Sequence, residues 1–320
     1  MRRSVTTVAA LSLVAVFATP AAQANAGLIT YCVGTGGAVT VPNDLYVPAG
    51  ESCSLEGTTI TGNVQVAAGA NLVVSGGTIS GEVRIAADGY LDATGTSIGG
   101  QVVLAAGGFG VYLRQGSSGT VTVRPKGTAT VEGFLFMEGT KVNGSVSVNV
   151  GEARLDQLTE VTGNVSSSGA YYTDVHDSFV DGTLSVLNNS TGSVVCGSAV
   201  KGKATFAGNL GGVQLGPNGT LDGCASGGYW GRDVSITNTI GGVSLEDNII
   251  SGQLQLGGNT PAARVGADNR IRGGVTGEQS QAAARASLVA ADRVSAGETR
   301  ATTRRTGAVG EAVASGPADL

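Results

Sequence analysis

A repeat of about 19 residues runs through most of this 320-residue chain and constrains its fold more than any other feature. The unit reads Φ-x-G-x-Φ-x-Φ, where Φ is an aliphatic residue. Its clearest copies are residues 60–66, 79–85, 98–104, 142–148, 180–186 and 250–256. The central position of the unit falls at residues 43, 62, 81, 100, 119, 144, 163, 182, 202, 232, 252 and 273. Self-similarity at a fixed period of this length is typical of solenoid proteins.

Aliphatic and polar residues alternate within each unit, which is the period of a β-strand. A second apolar pair follows about ten residues later, after turn signals such as Asp88-Gly89. The pattern predicts an all-β fold: a single-stranded parallel β-helix, or solenoid, of about twelve coils, in which equivalent aliphatic residues form ladders inside one tube. Twelve coils at ~4.8 Å give a rod of roughly 55–60 Å. An antiparallel sandwich is the alternative, but it would not need ladders locked to one period.

Two units are longer than the others and locate insertions. A spacing of 25 residues contains residues 132–138, and a spacing of 30 residues contains residues 220–229. Insertions in solenoids become loops on one face, which is a common place for binding sites. The other interpretation is neutral variation at a corner of the coil.

The two ends of the chain differ from the repeats. Residues 1–24 have the charged start, apolar stretch and small-residue cleavage site of a secretory signal peptide, so we expect a secreted, extracellular protein that begins at Asn25 and has no membrane span. The parallel β-helix domain is predicted over 25–277. Residues 278–294 are rich in alanine and are expected to form a short helix that caps the last coil. Residues 295–320 are expected to be a flexible tail.

Composition excludes several classes of protein. The 53 glycines occur with only seven prolines, which excludes collagen, and a hydrophobic fraction of 41% argues against disorder. A formal net charge of −5 and the lack of a long basic run argue against nucleic acid as a partner.

The four cysteines fit neighbouring coils. Cys32 and Cys53 are 21 residues apart; Cys196 and Cys224 are 28 apart, or about one coil when the insertion is left out. In an exported protein, Cys32–Cys53 and Cys196–Cys224 are the favoured disulfides among three connectivities. The sequence has one His and no C-x-x-C motif, so neither a metal nor another cofactor is predicted.

The repeats of residues 35–275 resemble right-handed parallel β-helix proteins of the pectin-lyase-like type, and the short coil also looks like that of bactofilin polymers. Residues 246–262 and 266–274 are most similar to secreted actinobacterial β-helix proteins of unknown function. In that group the end commonly reads G-x-x-x-G-Q-C, whereas here the chain after Gly273 continues into a different tail. The resemblance implies a right-handed coil.

Many β-helix proteins of the pectin-lyase-like type cut acidic polysaccharides. The resemblance therefore implies carboxylates clustered with a base. The best candidates are Arg154 and Asp156 on one coil and Asp174, His176 and Asp177 on the next. If the residues that flank Asp174 point inward, Asp174 and His176 both point outward and stack beside Arg154 and Asp156. The alternative interpretation is a solvated acidic patch with an exposed His.

Exposed aromatic side chains are the usual stacking platforms for sugars. Tyr171 and Tyr172 are the candidate ligand-binding residues, and Tyr90, Phe109 and Tyr112 are further aromatics of this kind. The sequence favours a secreted, non-catalytic β-helix with a structural or surface-interaction role, which binds polysaccharide or a cell-wall surface or associates with itself end to end. The alternative is a polysaccharide lyase or glycoside hydrolase that uses Asp156, Asp174, His176 and Asp177.

Overall fold

The computed structural model describes residues 28–127, 132–280 and 290–320, and within the C-terminal helix it describes side chains from residue 297 onward. The predicted signal peptide and part of the predicted capping helix lie outside these residues.

Each coil contributes short strands to three parallel sheets, which we call A, B and C and which hold 13, 13 and 12 strands. Sheet A contains Ile29–Tyr31, Asp44–Val47, Val64–Val66, Val83–Ile85, Val102–Leu104, Val121–Val123, Val146–Val148, Val165–Ser168, Leu184–Leu187, Ala204–Ala207, Val234–Thr237, Leu254–Gly257 and Val275–Thr276. Sheet B contains Gly34–Gly36, Ser52–Glu56, Asn71–Ser75, Tyr90–Thr94, Gly110–Arg114, Phe134–Glu138, Glu152–Asp156, Tyr172–His176, Gly192–Cys196, Gly212–Leu215, Val243–Leu245, Ala263–Val265 and Gln279–Ser280. Sheet C contains Thr40–Val41, Thr59–Ile60, Thr78–Ile79, Ser97–Ile98, Ser117–Ser118, Lys141–Val142, Glu160–Val161, Phe179–Val180, Ala199–Val200, Tyr229–Trp230, Ile249–Ile250 and Arg270–Ile271.

The aliphatic ladder explains why the coils stack in this register. Val83 lies directly between Val64 and Val102 on the neighbouring strands of sheet A, and all three side chains are buried inside the tube. The intervening residue of each strand faces outward, as Gln65 and Arg84 do. A shift of one residue would turn the aliphatic side chains to solvent, so burial fixes the register. The predicted solenoid is therefore confirmed.

The glycine of the repeat is required by the close approach of successive coils. A Cβ atom at Gly81 would lie 2.6 Å from the backbone oxygen of Gly62, and one at Gly100 would lie 2.5 Å from that of Gly81. Any larger side chain at this corner would push neighbouring coils apart. This contact gives a physical reason for the G in the repeat.

Both predicted disulfides are present. Cys32–Cys53 and Cys196–Cys224 have Cα–Cα distances of 5.6 and 5.5 Å. The first joins the two N-terminal coils. The second ties the strand Gly192–Cys196 to residues 216–228, the connection between Gly212–Leu215 and Tyr229–Trp230, which we call the insertion loop.

The C-terminal region differs from its prediction. Helix α1 spans Ala290–Ser315, so residues 297–315, predicted to be a flexible tail, are helical and packed on the outer face of sheet B. The polar contacts of α1 and of the residue that follows it run from the middle of the solenoid back to its first coil: Glu298 with Arg154, Arg305 with Asp92, Glu311 with Ser52, and Gly316 with Thr35. Within the described residues, α1 therefore lies along the side of the early coils instead of capping the last one. No described helix has the length and hydropathy of a membrane span.

Candidate functional site on the outer face of sheet B

The outer face of sheet B carries large side chains where a solvated sheet would carry small polar ones. Tyr90, Tyr112, Phe134 and Phe136 point outward from consecutive coils and are buried beneath α1, where they pack with Ala301. The rings of Phe134 and Phe136 are stacked with centroids 4.5 Å apart. Because these aromatic groups are already covered, Tyr90 and Tyr112 are not the exposed sugar platforms that the sequence suggested.

Arg154 is the centre of the first charged group. Its side chain is only 3% exposed, and its two terminal nitrogens lie 3.0 Å from Glu138 and 2.9 Å from Glu298. The guanidinium also stacks over Phe136, 4.4 Å from the ring centre, and donates to the hydroxyl of Tyr112 at 3.2 Å. Since Glu298 belongs to α1, this buried arginine fastens the helix to the sheet.

His176 is the centre of the second charged group. Its Nε2 atom lies 2.8 Å from Oδ1 of Asp174 and 2.9 Å from Oδ2 of Asp222. Asp174 is nine-tenths buried or more and sits next to Arg154 across the strands, whereas Asp222 comes from the insertion loop. Neither ion pair has the angles of a good hydrogen bond, so Nε2 and the Asp174 oxygen have no hydrogen-bond partner among the described residues. Nε2 therefore lies between two carboxylate oxygens, and no hydrogen bond satisfies Nε2 or the buried Asp174 oxygen within the described residues.

Gln214 holds the insertion loop in place. Its side chain points outward from sheet B and is almost completely buried by the loop. Its amide oxygen accepts hydrogen bonds from the backbone nitrogens of Leu221 and Asp222 at 2.8 and 3.0 Å, and its amide nitrogen donates to the Asp222 carbonyl at 2.8 Å. Together with the Cys196–Cys224 disulfide, these bonds deliver the Asp222 carboxylate to His176.

Electrostatics favour the charged form of His176. Burial of the ring would lower its pKa, but the carboxylates of Asp174 and Asp222 outweigh that effect and raise the pKa to about 10. The imidazolium then lies between two carboxylates and ties the strand Tyr172–His176 to the insertion loop.

The pKa of His176 leads to a pH prediction. Because its ordinary value is 6.5 and the folded value is about 10, the folded chain holds this proton more tightly than the unfolded chain. The stabilisation is complete below about pH 6.5 and is lost as the pH rises through about 10. NMR of this single histidine should show a titration midpoint above pH 8, and Asp222→Asn should lower it by at least about one unit. A wild-type midpoint near pH 6.5 would contradict the ion pairs.

The structure brings together three of the five predicted catalytic candidates. Arg154, Asp174 and His176 lie side by side, but Asp156 and Asp177 lie at the turn where sheet B strands end. Asp156 accepts a hydrogen bond from the Gln157 nitrogen, and Asp177 is exposed with a φ of 42°. Within the described residues, neither carboxylate is ion-paired with or hydrogen-bonded to His176. Asp156 is the last residue of the strand Glu152–Asp156, and Asp177 follows the strand that ends at His176.

A cleft of about 250 Å³ adjoins this cluster, between α1 and the coil that contains Glu152. It is lined by Glu132, Gly133, Gly151, Glu152, Tyr171, Tyr172, Gly297 and Arg300. Of the two predicted ligand-binding residues, Tyr171 is 45% exposed, whereas Tyr172 is 6% exposed. Burial raises the pKa of Glu152 to about 7, although Arg154 and Arg300 oppose the shift. This carboxyl group is therefore able to hold or release a proton near neutral pH.

Sequence reasoning missed Glu152, Asp222, Glu298 and Arg300. Asp222 had a detectable signal, because it lies two residues before Cys224, whose partner Cys196 is in register with His176. The donor atoms of His176, Cys196 and Asp222 lie within 4.8 Å of one another, so this is also the place where a metal ion could be held.

Comparisons with known proteins yield no family assignment. No protein-family model matches the chain, and no curated protein matches it significantly. Among solved structures, it is similar to the crystal structure of the TibC-catalysed, hyper-glycosylated TibA55-350 fragment, with 19% sequence identity over 81% of this chain and 100% of that chain. The TM-score of that match is 0.25, which is too low to support an argument about function.

Proposed function

We propose that this chain is a secreted, non-catalytic parallel β-helix with a structural or surface-interaction role. The observation that carries the proposal is that Arg154, Asp174 and His176, three of the five groups predicted to be catalytic, are held in ion pairs or buried beside them, and that these ion pairs fasten other parts of the chain. Arg154 binds α1 through Glu298, and His176 binds the insertion loop through Asp222. Asp174 is buried beside His176, where a polymeric substrate does not reach it.

An extracellular location is part of this proposal. Two disulfides in a chain of this size are typical of oxidising compartments. The sequence of residues 1–24 and the resemblance to secreted actinobacterial β-helix proteins support the same location. Polysaccharide or a cell-wall surface is the external partner that we propose, with Tyr171 as the exposed aromatic contact.

The first coil supports self-association end to end. Its strand Ile29–Tyr31 has one neighbouring strand among the described residues, and Leu28, Ile29, Tyr31 and Val39 are all exposed. At the other end, Val275–Thr276 is likewise the last described strand of sheet A. Within the described residues, both end strands of sheet A have one free edge, and the two edges are complementary, since the last coil of one copy offers the same strand direction as a next coil would.

Self-association is tested by light scattering after size exclusion over a range of protein concentrations. The mature chain should shift to larger species as the concentration rises, and Ile29→Lys should require at least about tenfold more protein, because a charge on the edge disfavours strand pairing. Gln65→Lys, on the exposed surface of sheet A in the third coil, should behave like the wild type. A mature chain that stays monomeric at all concentrations would argue against association through the ends.

A second candidate function is favoured by the Glu152 cleft. A carboxyl group that titrates near neutral pH beside an exposed tyrosine and an arginine is suited to general acid or base catalysis on a polysaccharide. The test is incubation with a panel of uronate-containing and neutral glycans, with absorbance of unsaturated uronates and reducing ends as readouts. We expect no product. Product formation that Glu152→Gln or Asp174→Ala abolishes would replace the primary proposal with the enzyme.

A further inference from the structure

We propose that the Cys196–Cys224 disulfide masks a zinc site, which forms with His176 and Asp222 when the disulfide is reduced. The inference does not depend on the proposed function. It starts from the convergence of unlike donor groups at one point of the outer face of sheet B, between the strand Tyr172–His176, its neighbour Gly192–Cys196 and the insertion loop.

The donor set is the first argument. Two thiolates, an imidazole nitrogen and a carboxylate oxygen are the ligand types that Zn²⁺ prefers in four-coordinate sites. The ligand atoms of His176, Cys196 and Asp222 already lie within 4.8 Å of one another, and the disulfide places Cys224 beside Cys196. Around a tetrahedral Zn²⁺ with Zn–S bonds of about 2.3 Å, the two sulfurs would be about 3.8 Å apart.

The buried polar atoms of His176 and Asp174 support the same site without reference to the cysteines. Nε2 of His176 and Oδ1 of Asp174 are buried and lie 2.8 Å apart as an ion pair, but neither atom makes a hydrogen bond within the described residues. Polar atoms in such a position usually have an explanation, and a bound cation is one. A cation on Nε2 would take the place of the imidazolium proton and keep positive charge beside the buried Asp174 carboxylate.

The geometry can adjust without disturbing the solenoid. Cys196 and His176 lie on strands that the coils hold rigidly, and they are directly paired across sheet B. Cys224 and Asp222 lie in the insertion loop, which has no described strand or helix between Leu215 and Tyr229. Opening the sulfur pair therefore requires movement of the loop alone.

The chemistry balances with a dithiol as the reductant. The dithiol gives two electrons and two protons to the Cys196–Cys224 bond, which breaks to form two thiols, and the dithiol becomes a disulfide. Zn²⁺ then forms two Zn–S bonds and one bond to Nε2 of His176, and it releases the two thiol protons and the imidazolium proton. When the disulfide form of the same dithiol takes two electrons and two protons back, the Cys196–Cys224 bond re-forms and the metal is released.

The experiment uses the full mature chain with Co²⁺ as a spectroscopic probe and Zn²⁺ as its competitor. A variant with Cys32 and Cys53 replaced by Ser isolates the site. After reduction, it should bind one equivalent of Co²⁺ with a thiolate-to-cobalt charge-transfer band and tetrahedral visible bands, and Zn²⁺ should displace the cobalt. The oxidised protein should show neither band. His176→Ala and Asp222→Asn should weaken binding at least about tenfold, and Asp177→Asn, next to His176 but outside the donor set, should not.

Three results would overturn the proposal. They are a reduced protein without the thiolate band, binding that survives replacement of Cys196 and Cys224 by Ser, and binding that neither His176→Ala nor Asp222→Asn weakens. If reduction destabilises the protein, its thermal unfolding with and without Zn²⁺ still tests the proposed site. Zn²⁺ should then raise the Tm of the reduced protein and leave that of the oxidised protein unchanged, and a reduced protein whose Tm does not respond to Zn²⁺ contradicts the site.

Discussion

Replacing Val83 with Asp should prevent the chain from folding. Val83 is fully buried between Val64 and Val102, and no cation or hydrogen-bond donor faces it from the ladder. Burying a carboxylate there costs several kcal/mol, and the whole stability of a typical domain is about 5–15 kcal/mol. We expect loss of the β-sheet signal in circular dichroism and recovery of the protein only in the insoluble fraction.

The control for this experiment is Gln65→Asp. Gln65 faces solvent on the strand next to Val83, so the same new charge should change the free energy of unfolding by less than about 0.5 kcal/mol. If Val83→Asp folds as well as Gln65→Asp does, the two residues do not lie on opposite faces of the sheet and the ladder is wrong.

Removing residues 281–320 should lower the Tm by more than about 10 °C and create binding sites for a hydrophobic dye. The deletion takes away α1, which covers the aromatic residues on the outer face of sheet B, and it removes Glu298 from the buried Arg154. Burial of each large aromatic side chain is worth about 1.5–3 kcal/mol, so exposing several of them has a large effect. Thermal unfolding and dye fluorescence measure the two results.

A point substitution distinguishes the effect of undocking helix α1 from the effect of deleting it. Ala301 is 1% exposed between α1 and the sheet, and Ala301→Trp should displace the helix and reproduce most of the dye binding. Val313, on the solvent side of α1, can be changed to Ser without effect. An Ala301→Trp protein with the wild-type Tm and no dye binding would show that the helix is not docked.

The sequence predicts the solenoid well because each coil repeats the same physical requirement. Burial of Val64, Val83 and Val102 requires alternation of apolar and polar residues within each strand and a spacing of about 19 residues between coils. Both features can be read directly from the amino-acid sequence. The disulfides follow from the same period. Contacts between residues distant in sequence can be predicted here because neighbouring coils are one repeat apart.

Helix α1 could not be predicted in the same way. Its buried contacts come from Gly297, Ala301, Ala308 and Ala312, small residues that give no strong hydrophobic period. Their spacings of four, seven and four residues do place them on one face of a helix. A further indication comes from sheet B. Its outward-facing aromatic residues are apolar and favour burial beneath another element: Tyr90, Tyr112, Phe134 and Phe136.

The candidate site was predicted in part for a similar reason. The registers of Arg154, Asp174 and His176 follow from the repeat, so their adjacency is accessible to sequence reasoning. Asp222 reaches His176 through an irregular loop that Gln214 holds, and Glu298 reaches Arg154 from a helix that is distant in sequence. Neither of these two contacts follows from the repeat, so neither could be predicted from the sequence.

A distance between two spin labels tests the continuous solenoid most directly. Gln65 and Gln255 face outward on strands of sheet A that are nine steps apart, and every native cysteine is in a disulfide, so cysteines introduced at these two positions can be labelled alone. At ~4.8 Å per strand, nine steps of a continuous solenoid should give a narrow distribution centred at about 43 Å. A broad distribution, or a centre much shorter than this, would contradict a single stack of coils.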